Sequence, residues 1–186
     1  MRVIIVGGVA GGMSAATRMR RLDEHAEIIV FEQGDHVSFA NCGLPYYVGG
    51  VISERESLLL QTPESLRARF DLDVRTGWSV GSIDRDAQTV SVRDVRSGAV
   101  QIERYDWLIL ATGAAARDEF VRTVDGPVVS TLRTIDDVDR LTDALAAVPT
   151  RPAPWSPAAD SSDSKPSRTS CVGGSRSRLC SAALTL

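Results

Sequence analysis

Arg2-Val3-Ile4-Ile5-Val6-Gly7-Gly8-Val9-Ala10-Gly11-Gly12 decides how this chain folds. Four consecutive β-branched residues (Val3, Ile4, Ile5, Val6) predict a strand covered on both faces. The glycines after it predict a tight turn. Met13, Ala16, Met19 and Leu22 then recur at helical spacing and predict a helix over residues 11–22. Arg18, Arg20 and Arg21 fall on its polar side and late turns, where cations suit the helix dipole. A second apolar run over 27–31 ends in Glu32. The result is a βαβ opening on a parallel sheet.

The turn has a chemistry of its own. Gly7 permits the tight bend, and Gly12 lets the helix pack close to the strand. Backbone N–H groups at the helix start then face a pyrophosphate. Glu32 lies 20 residues past Gly12, where a carboxylate can accept hydrogen bonds from ribose hydroxyls. Val9 stands where G-x-G-x-x-G has its middle glycine. Glycine before a helix is commonplace. Strand, turn, helix, strand and acid in register carry the reading of a dinucleotide site.

Working outward, a loop holds Cys42 within Ser38-Phe39-Ala40-Asn41-Cys42-Gly43-Leu44-Pro45-Tyr46-Tyr47. A short helix is expected to open at Cys42, with Pro45 in its first turn. Another begins at Thr62-Pro63-Glu64, with Thr62 as its N-cap and Pro63 as its first residue. Residues 74–80, 89–95 and 100–105 read as strands, with Ser97-Gly98 as the turn of an antiparallel hairpin. An apolar strand over 106–110 runs into Ala111-Thr112-Gly113, and residues 135–148 read as a helix.

The 186 residues allow a single domain with a real core. A net charge of −3 with no long basic block argues against nucleic acid. No early apolar run is long enough for a signal or a membrane span, so a soluble cytoplasmic protein is expected. Three cysteines in such a chain are no disulfide framework.

On these residues the chain resembles the pyridine nucleotide-disulfide oxidoreductases, and within them the branch of coenzyme A disulfide reductase and the NADH oxidases and peroxidases. Three pieces carry the resemblance: Gly7-Gly8-Val9-Ala10-Gly11-Gly12-Met13-Ser14-Ala15-Ala16, the stretch from Ser38 to Tyr47, and Ala111-Thr112-Gly113. It implies a Rossmann-like FAD-binding fold with an inserted antiparallel hairpin. FAD would be held by Gly7, Gly8, Val9, Ala10, Gly12, Glu32, Val80, Ala111, Thr112 and Gly113. Cys42 would be the catalytic residue. Ser14, Arg18, Arg21, Ser38 and Asn41 would meet the CoA substrate, in keeping with the affinity of arginines for phosphates. Classical members have a second cysteine five residues on, where Tyr47 stands here. A lone redox cysteine either forms a mixed disulfide with a small thiol or is oxidised to a sulfenic acid by peroxide. The flanks of Cys42 look like the CoA type. The resemblance implies NAD(P)H-binding and dimerisation domains that nothing in residues 151–186 is expected to supply. A homodimer is therefore expected of the full-length family and not of this chain. Cys171 and Cys180 match no family position.

Domain boundaries follow: residues 1–148 form a partial FAD-binding domain, and 149–186 form an irregular tail. The last 36 residues hold nine Ser, four Pro and no Glu, with no hydrophobic period, a composition that predicts disorder. Read one base out of frame, residues 154–165 permit Val-Val-Ala/Thr-Gly-Gly-Gly-Phe-Ile-Gly-Leu-Glu. That is the second nucleotide turn which the resemblance leads one to expect there. A frameshift between Val148 and Ala153 is the expectation. Three functions compete: a CoA-disulfide-type FAD enzyme drawing on NAD(P)H, a peroxide- or oxygen-reducing flavoprotein using a Cys42 sulfenic acid, and a non-catalytic FAD-binding remnant.

Overall fold

The computed structural model of the chain describes residues 1–115 and 130–147. The tail, with its expected frameshift, Cys171 and Cys180, lies outside the described residues. The chain divides into two compact units, Met1–Leu141 and Thr142–Leu186. Of the second, the described part is residues 142–147, the end of a helix.

In chain order the elements are β1 (Arg2–Val6), α1 (Ala10–Leu22), β2 (Glu27–Glu32), α2 (Leu44–Val48), α3 (Pro63–Phe70), β3 (Asp73–Thr76), β4 (Trp78–Asp84), β5 (Thr89–Asp94), β6 (Val100–Arg104), β7 (Trp107–Leu110) and α4 (Ile135–Ala147). Short 3-10 turns occupy Asn41–Gly43 and Arg55–Leu58. The expected α/β architecture is present. A parallel sheet runs in the order β3-β2-β1-β7, beside an antiparallel sheet in the order β4-β5-β6.

The β-branched run explains the burial. Val3 and Ile5, with Ile28 and Val30, face Met13 and Ala16 of α1 and Leu66 of α3. Ile4, Ile29 and Phe31 turn the other way, onto Val90 and Val92 of β5. Successive strand residues point to opposite faces, so a strand buried on both sides reads as an unbroken apolar run.

One expectation needs correction. The run over residues 74–80 is two strands, not one. Gly77 breaks it with φ +73, so β3 pairs with β2 while β4 starts the antiparallel sheet. The expected hairpin at Gly98 therefore gains a third strand and becomes a small sheet. The start of α3 is as the sequence predicts. Thr62 caps it, its hydroxyl accepting from the Ser65 N–H, and Pro63 follows at the first turn. A second capping arrangement was not foreseen: the Thr134 hydroxyl accepts from the Asp137 N–H, and the Asp137 carboxylate accepts from the Thr134 N–H at the head of α4.

Candidate functional site: a glycine turn and an exposed cysteine

The strand order places β1 at the point where the chain reverses direction across the sheet. From β1 it moves to β2 and β3 on one side, and later returns to β7 on the other. In open α/β sheets the crevice beyond the strand ends at this switch is the ligand site. Gly7 through Gly12 lies there, and so does Ala111, whose N–H donates to the Val6 carbonyl at 2.8 Å.

The turn is close-packed backbone. Gly7 has φ +104, and a Cβ on it would lie 2.2 Å from the Ala111 carbonyl oxygen. A Cβ on Gly12 would lie 1.7 Å from the Gly7 oxygen. At Gly8 it would meet Val37 Cγ1 at 2.8 Å and Glu32 Cβ at 3.0 Å. The absent side chains let α1 start against the strand end. No side chain caps the first turn of α1, and no acidic residue lies in it. Its leading N–H groups thus suit an anionic ligand. Glu32 holds the turn from the next strand: its carboxylate accepts from the Gly8 N–H at 2.7 Å and from the Gly34 N–H at 2.9 Å. Each oxygen keeps acceptor capacity for a sugar hydroxyl. A glycine cradle, an uncapped helix start and a carboxylate at the neighbouring strand end fit a dinucleotide.

On the β7 side, Thr112 and Gly113 are exposed, and Gly113 has φ +68. The Arg133 guanidinium donates to the Thr112 carbonyl at 3.3 Å. Val80, expected at the cofactor, packs its side chain against the core of Ile4, Ile29 and Phe31.

The cysteine loop is tied directly to the glycine turn. The Ser38 N–H donates to the Gly8 carbonyl at 2.9 Å, and Ser38 itself has φ +49. Cys42 is exposed, as are Asn41 and Tyr46. Four residues beyond Ser38, the Cys42 backbone lies within about 14 Å of that hydrogen bond by chain length alone. Contrary to expectation, Cys42 does not open a helix. It sits in the 3-10 turn Asn41–Gly43, and α2 starts at Leu44, with Pro45 in its first turn.

Beneath the loop, Phe39, Leu44 and Leu58 are buried with Ile135 and Val138 of α4. The Ala40 N–H donates to the Leu58 carbonyl at 2.8 Å, and the Leu60 N–H donates to the Ser38 carbonyl at 3.1 Å. Arg55 opens the segment under the loop and reaches α4. Its Nε and Nη2 donate to the two carboxylate oxygens of Asp139, both at 2.7 Å. This bond and the attraction of Arg55 hold Asp139 below the usual carboxylate range, against the opposing effect of burial. At Asp137 burial pushes the pKa up, but the N–H groups of Arg133 and Thr134 and the charge of Arg140 outweigh it, and the carboxyl lies low.

Of the expected substrate residues, Ser14, Arg18 and Arg21 share an exposed stripe of α1. Among the described residues, no hydrogen bond or ion pair joins them to Ser38, Asn41 or Cys42. Arg20 is structural: its guanidinium donates to the carbonyls of Phe70, Glu24 and Asp71 and staples α1 to the end of α3. The Arg55–Asp139 pair escaped the sequence reading, because nothing local marks two charges 84 positions apart.

The family model of the pyridine nucleotide-disulphide oxidoreductases matches residues 1–175. The coenzyme A disulfide reductase of Staphylococcus haemolyticus is 39% identical over 140 residues, covering 75% of this chain and 31% of that protein. The solved structure of reduced CoADR-RHD from Bacillus anthracis is 43% identical with a TM-score of 0.73, over 78% of this chain and 26% of that one. The water-forming NADH oxidase of Lactobacillus brevis, bound to NADH, is 27% identical with a TM-score of 0.73, over 79% of this chain and 32% of that one. The chain thus spans about a third of the length of the curated relatives it matches. With the glycine turn, the switch-point crevice and the exposed cysteine in place, the chain belongs to the pyridine nucleotide-disulphide oxidoreductase family.

Proposed function

We propose that this chain binds FAD at the glycine turn and uses Cys42 for thiol–disulfide exchange with coenzyme A disulfide. The observation that carries the reading is the Ser38 N–H bond to the Gly8 carbonyl, which fixes the exposed cysteine's loop to the dinucleotide turn. Gly7, Gly8 and Gly12 leave room for the pyrophosphate, the start of α1 offers N–H groups to it, and Glu32 accepts from the ribose. Ala111, Thr112 and Gly113 form the opposite wall. The chemistry a flavin supplies when bound is two-electron transfer from NAD(P)H to a disulfide.

Cys42 does the work of the other half-reaction. Its thiolate attacks one sulfur of CoA disulfide, a Cys42–CoA disulfide forms, the CoA–CoA bond breaks, and one CoA thiolate leaves. Arg18 and Arg21 on the exposed stripe of α1 bind the phosphates of CoA, with Ser14, Ser38 and Asn41 as polar contacts. The names of the CoA-type relatives and the lack of a cysteine at Tyr47 support a small-thiol partner.

Intact mass after incubation with CoA disulfide tests this. The expected result is one added CoA, absent from Cys42→Ser. Addition at no site, with rapid trapping of a sulfenic acid after peroxide, would instead favour the reading that the likeness to the NADH oxidase supports. FAD fluorescence should quench on titration with the chain. NAD(P)H-dependent turnover is not expected from this chain alone, and measurable turnover would overturn that expectation.

A further inference from the structure

We propose that Arg55 and Asp139 are positioning residues that latch the Cys42 loop at a fixed place beside the glycine turn; this rests on Cys42 being the exchanging thiol. The latch is part of a continuous path. Arg133 bonds the Thr112 carbonyl on the far wall of the crevice, from the segment that leads into α4. α4 buries Ile135 and Val138 among Phe39, Leu44 and Leu58. One turn on, Asp139 takes both arms of Arg55. Arg55 heads the 3-10 turn that ends in Leu58, whose carbonyl holds the Ala40 N–H. Leu58 Cδ2 also lies where a Cβ on Gly43 would come within 2.9 Å, so it abuts the residue after Cys42.

The pair is suited to setting geometry more than stability. The two side chains are 30% and 40% exposed, and ion pairs so exposed add little to folding. A two-armed guanidinium–carboxylate contact nevertheless fixes both distance and angle. It does so between the two segments packed beneath the cysteine loop. Exchange with a large disulfide needs the sulfur placed to within about 1 Å of its target, whereas a small alkylating agent needs only access.

The test uses the 186-residue chain and its Asp139→Asn, Arg55→Gln and double variants, with Arg55→Lys as the conservative one. Hydrogen exchange at the Ala40 and Leu60 amides should speed up in the single variants while the β1 amides stay unchanged. With CoA disulfide, the saturating rate of Cys42 modification should fall about tenfold, with the half-saturating concentration unchanged. Iodoacetamide should react at the wild-type rate. The double variant should lose no more than either single one, and Arg55→Lys should recover part of the rate. Unchanged exchange at Ala40 and Leu60, equal slowing with both probes, or losses that multiply in the double variant would each overturn the latch. Wild-type chain that takes no CoA but shows the exchange effect would sink the CoA reading and uphold the latch.

Discussion

The glycine turn and the cysteine loop lie against each other and are held by different means. Backbone packed on backbone holds the turn: the Gly12 position faces the Gly7 oxygen, and the Gly7 position faces the Ala111 oxygen. The loop is held by side chains from distant segments, namely Leu58, Ile135, Val138, Arg55 and Asp139. Backbone contacts of that kind admit no substitution. Side-chain contacts can give way in part. The turn is therefore rigid by construction, while the loop is adjustable through side chains from distant segments.

The sharpest way to break this contrast is Gly12→Ala. The new methyl has no room against main chain, so a loss of about 3 kcal/mol is expected in urea unfolding, with loss of FAD quenching. A milder cost would mean that the turn yields.

Acid comes next. The Asp137 and Asp139 carboxyls both titrate below the ordinary 3.8. A group whose pKa is lowered by folding contributes stability above its unfolded value, and that contribution is lost as pH falls through the folded value. The α4 contact and the cysteine loop should therefore loosen below about pH 4. Hydrogen exchange at Ala40, followed from pH 6 downward, reads this. An Asp139→Asn chain should show a shallower response. If β1 opens at the same pH, the two regions are not separable.

Gly43→Ala sharpens the comparison further. Its Cβ would press on the end of the Leu58 side chain at 2.9 Å, with Ile52 Cδ1 at 3.4 Å and Ala40 Cβ at 3.5 Å, so about 1 kcal/mol is expected in the same unfolding assay. The smallest effect is at Gly11, where a Cβ would sit 3.6 Å from the Ala111 methyl, an ordinary contact. Alanine there should stabilise the helix by about 0.5 kcal/mol. A destabilised Gly11→Ala chain would mean that the turn is tighter than its geometry implies.

The same contrast explains what could be read from sequence. β1, α1, β2 and the Thr62 cap are local: a β-branched run, a helical repeat and a capping residue each carry their own instruction. The glycine turn was legible for that reason. The break at Gly77 was marked by a glycine inside a strand pattern, but the apolar residues on either side hid it. The latch had no mark at all, since Arg55 and Asp139 look like any two surface charges until the fold brings them together. Arg20 shows the reverse: grouped by sequence with Arg18 and Arg21, it is set apart by three main-chain carbonyls.

The pairing of β7 with β1 bears on the order of folding. Near the start of that pairing, the Arg2 N–H donates to the Asp106 carboxylate, 104 positions away. The β1–α1–β2 unit closes within the first 32 residues. β7 has to close the longest loop in the sheet before its contacts offset the entropy. A chain emerging from the ribosome can therefore form the glycine turn early, while the wall that Ala111 supplies comes last. Until then β1 exposes an unpaired edge, and this interval is when the nascent chain is most open to aggregation.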